Sequence, residues 1–209
     1  MDHRCTMDGK VGWIHMKKWF AVVAVVIILG IAGGVFLRLH NAVYIKPMNE
    51  YAVPEQVVSY RQDDKTWAED RLGDSSYSMK SSGCLVTCMA SAISSSGKAI
   101  TPGELNQLFS DSQVYDDAGN VQWDRIRDLE GYSVEVFDSV SKQKLDQCLS
   151  QGHYPIVRVR MHGFGNFHFV LIVGTREGEY LCMDPLEDDL TKLSRYGNMV
   201  YGIRLFASA

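Results

Sequence analysis

Residues 79 to 97 read MKSSGCLVTCMASAISSSG, two cysteines four apart in a run of small and apolar residues. Leu85, Cys88, Met89, Ala92 and Ile93 recur at helical spacing and predict a packed helix over residues 83 to 96. Cys84 then stands at the helix N-terminus, directly after Gly83. Unpaired backbone N–H groups and the helix dipole favour a thiolate at that position. Gly83, lacking a side chain, leaves room there for a substrate backbone. Cys88 lies one turn further along the same side and reads as core, the common fate of a free cysteine. A nucleophilic Cys84 requires a base, so its reading depends on the second half of the chain.

The stretch FHFVLIVG, 167 to 174, alternates as a strand. His168, Val170 and Ile172 share one face, with Phe169, Leu171 and Val173 on the other. Both faces are apolar beyond the histidine, so the strand is buried on both sides and His168 is a polar group at its start. The following strand, EYLCMDP, ends at Asp184 and Pro185. A three-residue hairpin loop at 175–177 would set His168 directly opposite Asp184, roughly 5 Å apart at Cβ. A two-residue turn at Glu177-Gly178 would break that pairing. In this arrangement Cys84 supplies the thiolate, His168 moves the proton and Asp184 orients the imidazole. Gln62, in YRQDDKTW, is a neutral amide donor placed to stabilise an oxyanion beside the Cys84 backbone N–H.

Other histidines and cysteines compete for these roles. His162, in the glycine-rich HGFGN, is the rival base, whereas His153 follows the Gly152 helix stop and reads as a capping residue. Cys148 and Cys182 sit in apolar patterns and read as core. No CxxC pair or Cys/His cluster has zinc-ligand spacing, and no cofactor is expected. The carboxylates at 187 to 189, EDD, read as a solvated loop.

Around these residues the first half of the chain predicts helices and the second half strands. DDKTWAEDRLG, NVQWDRIRDLEG and SKQKLDQCLSQG have helical composition ending in glycine. TPGELNQLF opens with Thr101, Pro102 and Glu104, a capping box. YSVEVF, YPIVRVRM and NMVYGIRLFA add strands. Helices followed by an antiparallel sheet make an α+β plan.

Ahead of this domain, residues 19 to 37 read WFAVVAVVIILGIAGGVFL, without charge or polar stripe. As a helix this run spans roughly 28 Å, about one hydrocarbon core. Lys17 and Lys18 precede it, with Arg4 and Lys10 further out, which puts residues 1–18 in the cytoplasm and the rest outside. FLRLHNAVY, at its end, is a poor signal-peptidase site, so the segment is expected to remain as a single-pass transmembrane anchor, a cleaved signal peptide being the alternative. MKKWFAVVAVV, from Met16, itself has the form of a translation start. Residues 38–55 read as a linker, and 56–209 as the folded domain. The 209 residues carry a net charge of −4 with no basic block, which argues against nucleic acid as a partner. Five cysteines in all are too few for a disulfide scaffold.

YRQDDKTWAEDRLG, MKSSGCLVTCMASAIS, TPGELNQLF, QGHYPIVRV, FHFVLIVG and YLCMDP together resemble the peptidase C-thirty-nine-like family, over about residues 56 to 205. These are papain-fold cysteine peptidases related to the domain that trims double-glycine leaders from bacteriocins. The family's glutamine-before-tryptophan motif falls on Gln62 and Trp67, its glycine-cysteine on Gly83 and Cys84, its histidine strand on His168, and its Asp-Pro on Asp184 and Pro185. The resemblance implies a papain-like fold and a bacterial thiol protease acting on a peptide or protein substrate, which with the apolar run at 19–37 is expected to be membrane-anchored and extracytoplasmic. No ATP-binding segment follows the domain, and no nucleotide is expected. Two alternatives keep the fold: a peptidoglycan-directed amide hydrolase, and an inactive module that binds peptides or a partner.

Overall fold

The computed structural model describes residues 8–208 except Gln56, with the backbone alone for residues 8–18, Ala21, Leu37 and Arg38. Arg4, Cys5 and Gln56, the expected first residue of the domain, thus lie outside the described residues, as do the side chains of Lys10, Met16, Lys17 and Lys18. The chain divides into two units, residues 1–41 and 42–209.

The first unit contains one helix, α1 (Asp8–Leu39). Its described apolar side chains from Trp19 to Phe36, Ile27 and Leu29 among them, are exposed. Among the described residues no helix is long and apolar enough to cross a membrane.

The second unit begins earlier than the sequence suggests. Residues 42–55, expected as a linker, are fastened to the domain. Strand β1 (Val43–Tyr44) pairs with a late strand at Met199–Val200, and Ile45 is only 1% exposed. Burial of one such side chain stabilises by roughly 1.5–3 kcal/mol, enough to hold a short segment down. Further anchors are the Met48 N–H, which donates to Asp146 Oδ2 at 2.9 Å, and the Tyr51 N–H, which donates to Thr175 Oγ1 at 2.6 Å.

The elements after β1 are α2 (Met79–Ser82), α3 (Cys84–Ser95), α4 (Pro102–Asp111), α5 (Trp123–Arg127), β2 (Tyr132–Val136), α6 (Lys142–Ser150), β3 (Ile156–Arg160), β4 (Phe167–Arg176), β5 (Glu179–Met183), β6 (Thr191–Lys192), β7 (Met199–Val200) and β8 (Gly202–Ser208). The main sheet is antiparallel with strand order β2-β8-β3-β4-β5-β6. Helices precede most of the strands, and the fold is the α+β plan expected.

Strand alternation sorts the core into two layers. Ile156, Leu171, Val173, Met183 and Phe206 face α3 and α4, where they meet Val86, Met89, Ile93, Leu105 and Phe109. Val157, Val170, Ile172, Cys182 and Ile203 point the other way, against Ile45, Leu145 of α6 and Tyr196. The Thr101 capping box is formed: Glu104 N–H donates to Thr101 Oγ1 and Thr101 N–H to Glu104 Oε2. DDKTWAEDRLG is not a helix. Turns form at Asp64 and Trp67, and the carbonyls of Ala68 and Asp70 accept instead from Lys80 and Met79. Docking of α2 therefore consumes the acceptors a helix would have needed.

Candidate active site

Cys84 opens α3, a twelve-residue helix packed on the sheet. The helix breaks from α2 at Gly83, where a Cβ would fall 2.5 Å from the Met79 carbonyl oxygen and 2.8 Å from its sulfur. The glycine is thus required by the turn of chain beneath it, not by an approaching substrate. Cys84 itself is half-buried and lines a cleft of ≈ 580 Å³.

The hairpin that carries His168 and Asp184 departs from the expected register. Its turn is the two-residue one, Glu177-Gly178, with φ of 56° and 71°, both positive as a type I′ turn requires. Arg176 pairs with Glu179, Thr175 with Tyr180 and Gly174 with Leu181. Continued unchanged, this register would put Asp184 opposite Leu171, on the face away from His168. A bulge between Ile172 and Gly174 intervenes, after which Ile172 pairs with Cys182 and Leu171 with Met183. The extra residue returns Asp184 to the face of His168, on the diagonal instead of directly across. Diagonal neighbours remain within reach of a long side chain, and His168 Nε2 lies 2.7 Å from Asp184 Oδ1.

The position of the bulge follows from close packing. A Cβ on Gly174 would stand 2.9 Å from Val53 Cγ2 and 3.0 Å from the Ala52 carbonyl oxygen. The segment leading into the domain therefore lies directly on this glycine.

The pair is sealed from solvent, His168 at 4% exposure and Asp184 at 1%. Asp184 also accepts from the Leu186 N–H at 3.0 Å and, through Oδ2, from the Tyr196 hydroxyl. Burial alone would raise its pKa, but the hydrogen bond and charge of His168, with the Tyr196 and Leu186 donors, hold it below the usual carboxylate value. For His168, burial opposes the charged ring. Hydrogen bonds to Asp184 and Cys84, together with their charges, outweigh that and raise its pKa to about 9. The Cys84 sulfur is among the groups that raise it. With Nε2 taken by Asp184, Nδ1 is the nitrogen left for that sulfur.

Gln62 is 4% exposed and joins the two halves of the site. Its N–H donates to the Pro185 carbonyl at 3.0 Å, and its Nε2 to the Lys80 carbonyl at 2.8 Å. Lys80 is the residue whose carbonyl a helix continuous through Gly83 would offer to the Cys84 N–H. Gln62 Oε1 is buried without a partner.

The remaining candidates take other places. Cys88 is buried, its Sγ directed at the Phe169 carbonyl 3.4 Å away, and burial followed by the charge of Cys84 pushes its thiol pKa well up. Cys148 and Cys182 are likewise buried and raised by burial, Cys148 to about 11. His162 is exposed in a short turn after β3. His153 is also exposed, and its N–H closes α6 on the Cys148 carbonyl at 2.9 Å. In the EDD loop Glu187 pairs with Arg195 and Asp188 with Arg61. Among the described residues no group of three His, Cys, Asp or Glu side chains is placed to hold a metal ion.

Tyr196 was not visible in the sequence as part of this site. It stands in a 3₁₀ turn, Leu193–Tyr196, closed by Gly197 at φ 69°, and nothing in LSRYGN marks its hydroxyl as a partner of Asp184.

Comparison with known proteins supports the architecture. The structure of a candidate C39-like peptidase from Bacillus anthracis matches with a TM-score of 0.50 at 11% identity, over 77% of this chain and 99% of that one. Likeness at that identity shows a common fold. No protein-family model matches the chain, and no curated protein matches it.

Proposed function

We propose that this chain is a cysteine peptidase that hydrolyses peptide bonds with Cys84 as nucleophile, His168 as acid and base, and Asp184 as the group that orients and charges His168. One observation carries the reading. A half-buried thiol at a helix start lines a cleft, and the same fold holds a buried histidine against a buried carboxylate at 2.7 Å.

His168, its pKa raised to about 9, carries the proton at neutral pH, and the proposed reaction runs through Cys84 as a thiolate. The thiolate attacks the carbonyl carbon of the scissile bond, and the carbonyl electrons move onto oxygen. The Cys84 N–H and the second Nε2 proton of Gln62 are the donors proposed for that oxyanion. His168 then protonates the leaving amine, and a thioester to Cys84 remains. Water attacks the thioester while His168 accepts a proton, releasing the acid and restoring the thiolate–imidazolium pair. Asp184 keeps its charge throughout, held low by its three donors.

The apolar run 19–37, whose described side chains are exposed, supports a membrane anchor with the peptidase domain outside the cytoplasm. The test of the enzyme reading is incubation of the full chain with a diverse peptide library, with cleavage read by mass spectrometry. The wild-type chain is expected to cut a subset of peptides, and Cys84→Ala and His168→Ala none. Cutting that survives Cys84→Ala would sink the reading. A membrane location is tested by flotation with vesicles, which loss of residues 1–41 should abolish.

A further inference from the structure

We propose that Arg158 and Arg204 form an anion subsite in the cleft beside Cys84, one that receives a carboxylate of the bound peptide. The proposal deepens the reading of this cleft as a peptide site. Arg158 on β3 pairs with Gly202 on β8, and Arg204 pairs with Ile156. The two arginines are therefore diagonal neighbours on one face, that of Ile156 and Phe169, which looks toward α3. Both line the same cleft as Cys84. Gly202 makes the approach possible: a Cβ there would stand 3.0 Å from Arg204 Nη1, so the guanidinium lies where a side chain would otherwise be.

Neither charge is answered. Among the described residues no Asp or Glu oxygen lies within 4.0 Å of either guanidinium. Both Nε atoms are buried without a hydrogen-bond partner. Acidic residues are not scarce, since 25 Asp and Glu stand against 21 Lys and Arg. The guanidiniums rest on neutral groups instead, Arg158 at 4.3 Å over Phe167 and Arg204 at 5.2 Å over Trp123, with Arg204 Nη1 donating to the Ile203 carbonyl at 2.8 Å. Burial lowers the pKa of each, and a neighbouring guanidinium lowers it further, Arg160 for Arg158 and Arg158 for Arg204. Two partly buried like charges without a counter-charge cost free energy that an entering anion recovers. Their planar forks suit a carboxylate, which they can grip with paired N–H donors. That carboxylate has two sources in a peptide, an Asp or Glu side chain or the C-terminus.

Calorimetric titration of the full-length Cys84→Ala chain in detergent tests this without turnover. Three probes are used: acetyl-tetraalanine amide, acetyl-tetraalanine with a free C-terminal carboxylate, and the amide with glutamate placed at each position in turn. At least one carboxylate peptide is expected to bind ten or more times tighter than the neutral amide. Preference for the free acid assigns the C-terminus, and preference for a glutamyl peptide assigns a side chain. Arg158→Gln and Arg204→Gln should each reduce the ratio below threefold, while Arg158→Lys and Arg204→Lys, which keep the charge, retain part of it. Thermal melts confirm that each variant is folded. Binding of all three probes within twofold, absence of measurable binding, or an undiminished ratio in both glutamine variants overturns the proposal. Hydrolysis by the wild-type chain is scored apart, so a chain that prefers carboxylates yet cuts nothing keeps the subsite and loses the peptidase reading.

Discussion

His168 Nε2 and Asp184 Oδ1 lie 2.7 Å apart across a hairpin whose turn, taken alone, would have sent them to opposite faces of the sheet. The contact depends on one extra residue between Ile172 and Gly174, which shifts the parity of the pairing. Behind it stand the Tyr196 hydroxyl and the Leu186 N–H, so the carboxylate has little freedom to turn away.

Replacing Asp184 with asparagine keeps an acceptor for Tyr196 and removes the charge. The His168 pKa, about 9 in the wild type, is then expected to fall, because burial is left opposed by fewer favourable partners. Imidazole NMR titration reads this directly. On any peptide substrate found, kcat/KM should drop by roughly 10²–10⁴-fold. An unmoved His168 pKa would remove Asp184 from the role assigned to it.

The same shift makes stability depend on pH. His168 is raised from 6.5 to about 9 by folding, so its contribution is complete below about pH 6.5 and lost as pH climbs through about 9. Urea midpoints measured from pH 6 to pH 10 should decline across that window in the wild type. His168→Gln, which cannot titrate, should flatten the decline.

Of the four described cysteines only Cys84 is not buried. Iodoacetamide at pH 7 is expected to label Cys84 in the folded chain and leave Cys88, Cys148 and Cys182 untouched until urea is added. Peptide mapping by mass spectrometry separates these sites from Cys5. Comparable labelling of Cys88 in the native state would contradict its burial.

Gly83→Ala places a methyl group against the Met79 backbone. Overpacking of this kind costs roughly 1–3 kcal/mol, and the thermal midpoint should fall accordingly. Cys84 alkylation in the folded variant should slow as well, since the helix start must shift to make room.

The parts of this molecule legible in the sequence are those governed by local chemistry. Thr101, Pro102 and Glu104 announce a helix start through hydrogen bonds made within one turn, and the alternation in FHFVLIVG places His168 on a defined face. Apolar spacing puts Cys88 in the core, whereas Cys84 stands apart from it only through its place at the helix start and the later His168 and Asp184. What escaped depends on contacts between distant segments. The hairpin register could be drawn with either turn, and the bulge that settles the pairing answers to Val53 and Ala52, more than a hundred residues away. Residues 42–55 look like a linker because β1 is short and its partner, β7, comes near the end of the chain. Arg158, in YPIVRVRM, reads as the polar phase of an ordinary strand until Gly202 and Arg204 are set beside it.

Helix α3 is buried on every side from Val86 to Ile93, Thr87 and Ser91 included. A helix so enclosed cannot slide or rotate without displacing the packing of both its neighbouring helices and the sheet. Cys84, the proposed nucleophile, is consequently a fixed post. Tolerance for substrates of different shape would have to come from the other segments that line the cleft, around Tyr115, Asn120 and Trp123. Change in substrate preference over evolutionary time would accumulate in those segments, while the helix that carries the thiol stays as it is.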